Sequence, residues 1–151
     1  MAVRVQIKQW NADKLLARAT QILEDFGPLV AFQSEQEIAK EQYTWPVTTR
    51  RKNGQVVTSP RDIVDTGRLI NSATPPEVSS AGGRIALRIA WTAPYAYEVL
   101  KGGYLVGTTR QNYVAPERDW ISRTYRQLQV DGERPFLPFL VRRWNQLAGR
   151  T

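Results

Sequence analysis

The chain has 151 residues and contains neither cysteine nor histidine, which excludes disulfides, thiolate metal sites and imidazole acid–base chemistry. A hydrophobic share of 42% is that of an ordinary globular protein, and the length suits one domain spanning residues 1–151. The net charge is +7, made up of +2 over residues 1–60, 0 over 61–100 and +5 over 101–151; sixteen of the 21 basic side chains are arginine, whose planar fork suits phosphate and carboxylate. No apolar run reaches the length of a membrane span, and the first residues lack the apolar centre of a signal peptide. A product made in the cytoplasm, with no membrane partner, is expected.

Residues 3–10 alternate, with Val3, Val5 and Ile7 on one face, and predict a strand. Asn11 or Asp13 then caps a helix whose buried stripe is Leu15, Leu16, Ala19, Ile22, Leu23 and Phe26. Gly27-Pro28 is expected to interrupt or kink it. Helical character resumes over Ala31–Gln42, with a thin stripe of Val30 and Ile38 that calls for a neighbour such as another subunit. Residues 43–60 read as a protruding hairpin, because Asn53-Gly54 is a strong turn signal between Val47, Thr48, Thr49 and Val56, Val57, Thr58. Its tip carries Arg50, Arg51 and Lys52. Such a tip reaches an anionic partner, or is simply a solvated guard against edge pairing; Pro46 points to an edge position.

In the centre, Asp65 or Thr66 caps a helix carrying Arg68, Leu69 and Ser72, and Pro75-Pro76 stops it. Gly82-Gly83 marks a tight turn into a strand from Arg84 to Trp91, with Ile85, Leu87, Ile89 and Trp91 on one face and Arg84 and Arg88 on the other. A second short helix follows, containing Glu98. Residues 104–115 predict a short strand and a loop. Pro116 is placed as the first residue of a helix with Trp120, Ile121, Tyr125 and Leu128 on one face, and Arg118, Arg123 and Arg126 over the rest. Val130–Glu133 is a turn. The last helix begins near Pro138, buries Leu140, Val141, Trp144 and Leu147, turns Arg142 and Arg143 outward and ends at Gly149.

The sequence has no phosphate-cradling glycine loop and no nucleophile elbow. Asp62 and Asp65 are the nearest approach to paired carboxylates, and capping or ion pairing explains them more simply than metal-dependent nuclease chemistry, which needs a convergent acid cluster. The tryptophans fall mostly on apolar stripes and are assigned to packing. No catalytic, cofactor-binding or metal-ligating residue is expected.

The central block and the C-terminal region together resemble a known family. Asp65, Thr66, Gly67, Leu69 and Ser72, then a hairpin, then Tyr95, Ala96 and Gly102, and finally Arg134, Pro135, Phe136 and Leu137 follow the order and approximate spacing of motifs in the small head–tail joining, or tail-completion, proteins of tailed bacteriophages, the HK97 gp10-like group. The likeness spans residues 13–148. It departs from the pattern at Leu100, where the family often has a glutamate; Glu98 is the nearest acid. The resemblance implies an α+β fold, with a small antiparallel sheet packed against a long N-terminal helix and a C-terminal helix. It implies a non-enzymatic virion protein at the head–tail junction. That protein forms a ring, commonly six-fold, from copies of itself. Its neighbours would be a connector, adaptor or stopper protein on one side and a tail terminator or tail tube protein on the other, with genomic DNA passing through. Candidate contacts to a partner or to DNA are Arg50, Arg51, Lys52, Arg110 and Arg118. The alternative reading is a small basic nucleic-acid-binding module, motivated by the charge of the C-terminal third and the hairpin tip.

Overall fold

A computed structural model describes residues 12–64, 66–82, 84–103, 105–106, 113–129 and 136–148. The predicted strand at 3–10, the turn at 130–133 and the stop at Gly149 lie outside them, as do Asp65, Gly83, Arg110, Arg134 and Pro135. The fold is α+β. A long helix, α1 (Ala12–Ala39), precedes a strand pair, β1 (Thr49–Arg50) and β2 (Val56–Val57), and a 3-10 turn at Ile70–Ser72. The hairpin of β3 (Glu77–Ala81) and β4 (Arg84–Arg88) follows, then α2 (Ala96–Lys101), the pair β5 (Leu105–Val106) and β6 (Tyr113–Val114), α3 (Trp120–Gln129) and α4 (Phe136–Ala148). Among the described residues the strands form three separate antiparallel pairs, where one small sheet was expected.

The helix α1 runs through Pro28 as one element of 28 residues, about 42 Å long. It does so because its face is buried on both sides of the proline, at Ile22 and Phe26 before it and at Ile38 after it. Tertiary packing of that face outweighs the lost hydrogen bond. Gly27 shows how close the packing is. A Cβ there would lie 2.6 Å from Cβ of Pro76 and 3.2 Å from Leu87, so the β3–β4 hairpin seats directly on the helix backbone. The helix ends at Ala39, earlier than Gln42. Its last carbonyls find partners nearby: the Tyr43 hydroxyl donates to the Glu37 carbonyl at 2.8 Å, and the Ile63 amide donates to that of Ile38 at 3.3 Å. Burial raises the Tyr43 hydroxyl above its ordinary value, keeping it a donor; the hydrogen bond from Gln42 and the charge of Arg123 oppose this only in part.

The predicted central helix is replaced by the single 3-10 turn at Ile70–Ser72. Gly67 sits at φ +75°, which breaks helical geometry, and Ala73 already bridges to Trp91. The Ser72 hydroxyl donates to the Leu69 carbonyl at 2.8 Å and closes the turn. Downstream, β3 and β4 pair in the expected register, with Ala81 opposite Arg84 and Gly82 at φ +57°. Ile85 and Leu87 turn inward and Arg84 and Arg88 outward, although the strand ends at Arg88 and Trp91 pairs through an isolated bridge to Ala73. The helix α3 starts at Trp120 rather than Pro116, because Asp119 caps it: its Oδ1 accepts from the Ser122 amide at 2.9 Å.

One core holds these parts together. Ile38, Leu69, Ala93, Ala96 and Trp120 are buried against one another, and Trp91 meets Trp120 edge-on at 5.7 Å. The helix α4 packs on the first half of α1 through Phe139 on Phe26, with centroids 5.3 Å apart. Arg143, predicted to face out, instead bonds Asp25 at 2.6 Å, because α1 supplies a carboxylate within reach. Val141 is exposed while Leu140, Trp144 and Leu147 are half-buried.

Candidate functional site

The hairpin β1–β2 closes through Lys52–Gly54. The Gly54 amide donates to Arg51 O at 2.9 Å, with φ of +88° at the glycine. The ladder is only two residues long, and its tip is not uniformly solvated. Arg51 folds back so that Nη2 meets Asp62 Oδ1 at 2.5 Å, while Arg50 and Lys52 stay exposed. The second Asp62 contact is local, an acceptance from the Val64 amide at 2.8 Å that tightens the chain after the hairpin. Asp62 is thus ion-paired and turn-forming, in line with the capping or ion-pairing role expected of it.

At the foot of the hairpin, Trp45 takes two guanidinium groups on its indole. Arg61 Cζ lies 3.7 Å and Arg118 Cζ 3.5 Å from a Trp45 ring centroid, both face-on stacking distances. Arg61 also donates from Nη1 to the Thr49 hydroxyl. Arg118 is 2% exposed, an uncommon place for a cation, and the electron-rich indole face offsets part of its lost hydration. The Arg118 amide bonds Leu100 O at 3.2 Å, which ties this segment to the end of α2. Gly102 permits the approach: its φ is +65°, and a Cβ there would lie 2.5 Å from the Glu117 amide nitrogen.

These groups enclose a cleft of about 360 Å³. Arg50, Arg51, Lys52, Arg61, Arg68 and Arg118 line it, with Asp62 the one carboxylate among the described lining residues. Four of the five candidate contacts from the sequence therefore meet in one place, and Arg110 lies outside the described residues. The sequence reading missed Trp45, Arg61 and Arg68 as members. Counting outward from the Arg50–Val56 pair sets position 45 against 61, but the structure pairs Tyr43 with Arg61, so the local register does not find these residues. Nothing local connects Arg118 to them.

A second recess, of about 430 Å³, is apolar. It lies where α1, β4 and α3 meet, between Phe26 and Val30, Leu87 and Trp91, and Ile121 and Tyr125. The predicted face of α3 divides here: Trp120 and Thr124 are buried and Leu128 half-buried, but Ile121 and Tyr125 are exposed, the latter at 60%. The divide follows the 3.6-residue period, which puts positions 120, 124 and 128 toward the core and 121 and 125 one step around. Leu29 and Phe32 on α1 are exposed as well.

The family-motif residues that are described serve the fold. Leu69 and Ala96 are core residues, Gly67 and Gly102 supply left-handed turns, Tyr95 precedes the first turn of α2, and Phe136 and Leu137 open α4; Thr66 is exposed. No group of three metal-ligating side chains occurs among the described residues, and none of their helices is long and apolar enough to cross a membrane. No family model, curated protein or solved structure matches the chain.

Proposed function

We propose that this protein is a structural subunit, without a catalytic site, of a ring at the head–tail junction of a tailed bacteriophage. There it joins a connector, adaptor or stopper protein to a tail terminator or tail tube protein and lets DNA pass. The motif order described above motivates the reading, and the observation that carries it is the exposed apolar surface around the groove of α1, β4 and α3. Ile121 and Tyr125 line the groove and are exposed beside Val30, Leu87 and Trp91, and a neighbouring copy in a ring covers such a surface. A channel would contact DNA through phosphate electrostatics alone, which suits an arginine-rich chain. The test is electron microscopy of the purified protein, alone and mixed with tail tubes or connector-bearing heads from its source. Rings, or added density at the junction, are expected; monomers that bind neither partner would overturn the reading.

The basic cleft supports a second reading, a small nucleic-acid-binding module. It predicts duplex binding by the free protein that weakens steeply as salt rises, and absence of binding at low salt removes it.

A further inference from the structure

We propose that the free edge of β4, with the apolar groove beside it, receives a third strand from a protein partner: an extended segment with apolar side chains at alternate positions and carboxylates between them. The ring reading covers the α3 rim of this groove, at Ile121 and Tyr125, with a neighbouring copy. The added strand fills its β4 side, and the inference rests on that reading only in treating the groove as an interface.

The hairpin register decides which way the backbone groups of β4 point. Two positions separate Ala81 from Arg84, so these residues exchange hydrogen bonds, and bonding recurs at every second pair, Ser79 with Ala86 and Glu77 with Arg88. The alternation continues past the strand: Ala90 O accepts from the Thr74 amide at 2.7 Å, and the Thr92 amide donates to Ser72 O at 2.9 Å. Even-numbered residues thus face the β3 side, and the amides and carbonyls of Ile85, Leu87 and Ile89 face the other way. They bond none of the described residues. A row of unpaired groups at strand spacing is a template for an added strand.

Beside that edge lies the recess of about 430 Å³. Leu87 and Ile89 form one wall, Leu23 and Val30 of α1 the floor, and Ile121 and Tyr125 of α3 the far side. No described residue of β3 lines it, so it adjoins the free side of β4. A strand bonded to β4 lies about 5 Å from it and turns every second side chain onto this apolar surface. On the other face of β4, Arg84 and Arg88 are exposed, and neither meets a carboxylate among the described residues. The intervening side chains of an added strand stand beside these arginines, which favours carboxylates there and disfavours cations. The same rule turns away the β4 edge of a second copy. Antiparallel pairing about Ala86 would set Arg84 opposite Arg88 of the other copy, like charge on like.

The test is fluorescence anisotropy of the full chain with a short labelled peptide that alternates valine and glutamate. Its controls are a peptide of the same composition with the valines grouped, and one with lysine in place of glutamate. Binding of the alternating glutamate peptide alone is expected, with slowed hydrogen exchange at the amides of Ile85 and Leu87. N-methylation along one edge of the peptide is expected to abolish binding and along the other to leave it, because a strand added to β4 bonds through one edge only. Arg84→Glu/Arg88→Glu changes only exposed side chains; it is expected to weaken the glutamate peptide about tenfold or more and to admit the lysine peptide. Arg50→Glu/Arg142→Glu alters the net charge equally at exposed positions outside the groove and is expected to leave binding within about twofold. Should the charge-reversed β4 variant fail to fold, Arg84→Gln and Arg88→Gln taken singly replace it, each expected to weaken binding about threefold. Equal binding of either control peptide, indifference to N-methylation on both edges, or an equal loss in the β4 and control variants would overturn the inference. Rings formed by a protein that takes no peptide would also overturn it and leave the ring reading standing. Peptide binding by a protein that neither forms rings nor binds heads or tails would support it and remove that reading.

Discussion

The basic cleft and the apolar groove have similar volumes, about 360 and 430 Å³, and are built from opposite kinds of chain. The groove is walled by periodic elements, α1, β4 and α3, and its residues recur at helical or strand spacing. The cleft is walled by a two-residue strand pair, turns and an irregular segment, and its cations come from positions as far apart as 50 and 118. Both meet at one core: Leu69 lines the cleft, Trp91 lines the groove, and both touch the cluster around Trp120. The lesson is that regular elements leave apolar surface by geometry, whereas a charged recess needs loops that bring distant arginines together and aromatic rings that tolerate them.

The largest effect is expected from the core that both recesses adjoin. Trp120→Ala removes a side chain 1% exposed and should cost about 3–5 kcal/mol in denaturant unfolding, loosening cleft and groove together. If hydrogen exchange rises along the groove but not at residues 61–70, the two recesses do not depend on that core together. Gly27→Ala addresses the groove side alone. The new methyl meets Pro76 at 2.6 Å, and the overpacking exceeds the helix-propensity gain, so a net loss of about 1–2 kcal/mol and a lower melting temperature are expected.

Asp62→Asn addresses the cleft alone. It removes the carboxylate partner of Arg51, a half-buried pair, and should cost about 1 kcal/mol. Denaturant unfolding of the variant against wild type checks it.

Asp119 stands between the two regions, following Arg118 of the cleft and capping the helix that carries Ile121 and Tyr125. Desolvation pushes its carboxyl upward, but the hydrogen bonds from Ser122 and the charges of Lys101 and Arg126 outweigh it, so the group lies below its ordinary value of 3.8. A lowered folded value means that the cap stabilises above the unfolded value and that this contribution is lost as pH falls through the folded one. Asp119→Ala should therefore cost about 1 kcal/mol at neutral pH, with the difference from wild type closing below about pH 4. The smallest change in stability, within about 0.5 kcal/mol, is expected for Ile121→Ser/Tyr125→Ser, since both side chains are exposed. Its readout is association: on the proposed ring assembly, sedimentation should show rings lost and monomers kept.

Much of the fold was legible in the chain itself. The stripe of Ile22 and Phe26, the inward Ile85 and Leu87, and the turns at Gly54 and Gly82 were determined by residue period and by the backbone freedom of glycine, both of which act within a few residues. Only the tertiary structure decided that α1 continues through Pro28, that residues 70–72 form a single 3-10 turn, and that Arg51 and Arg143 turn inward to Asp62 and Asp25. It also decided that Trp45, Arg61 and Arg118 stack together. These outcomes depend on partners brought close by folding, whose burial and pairing energies exceed the local preferences that the sequence displays.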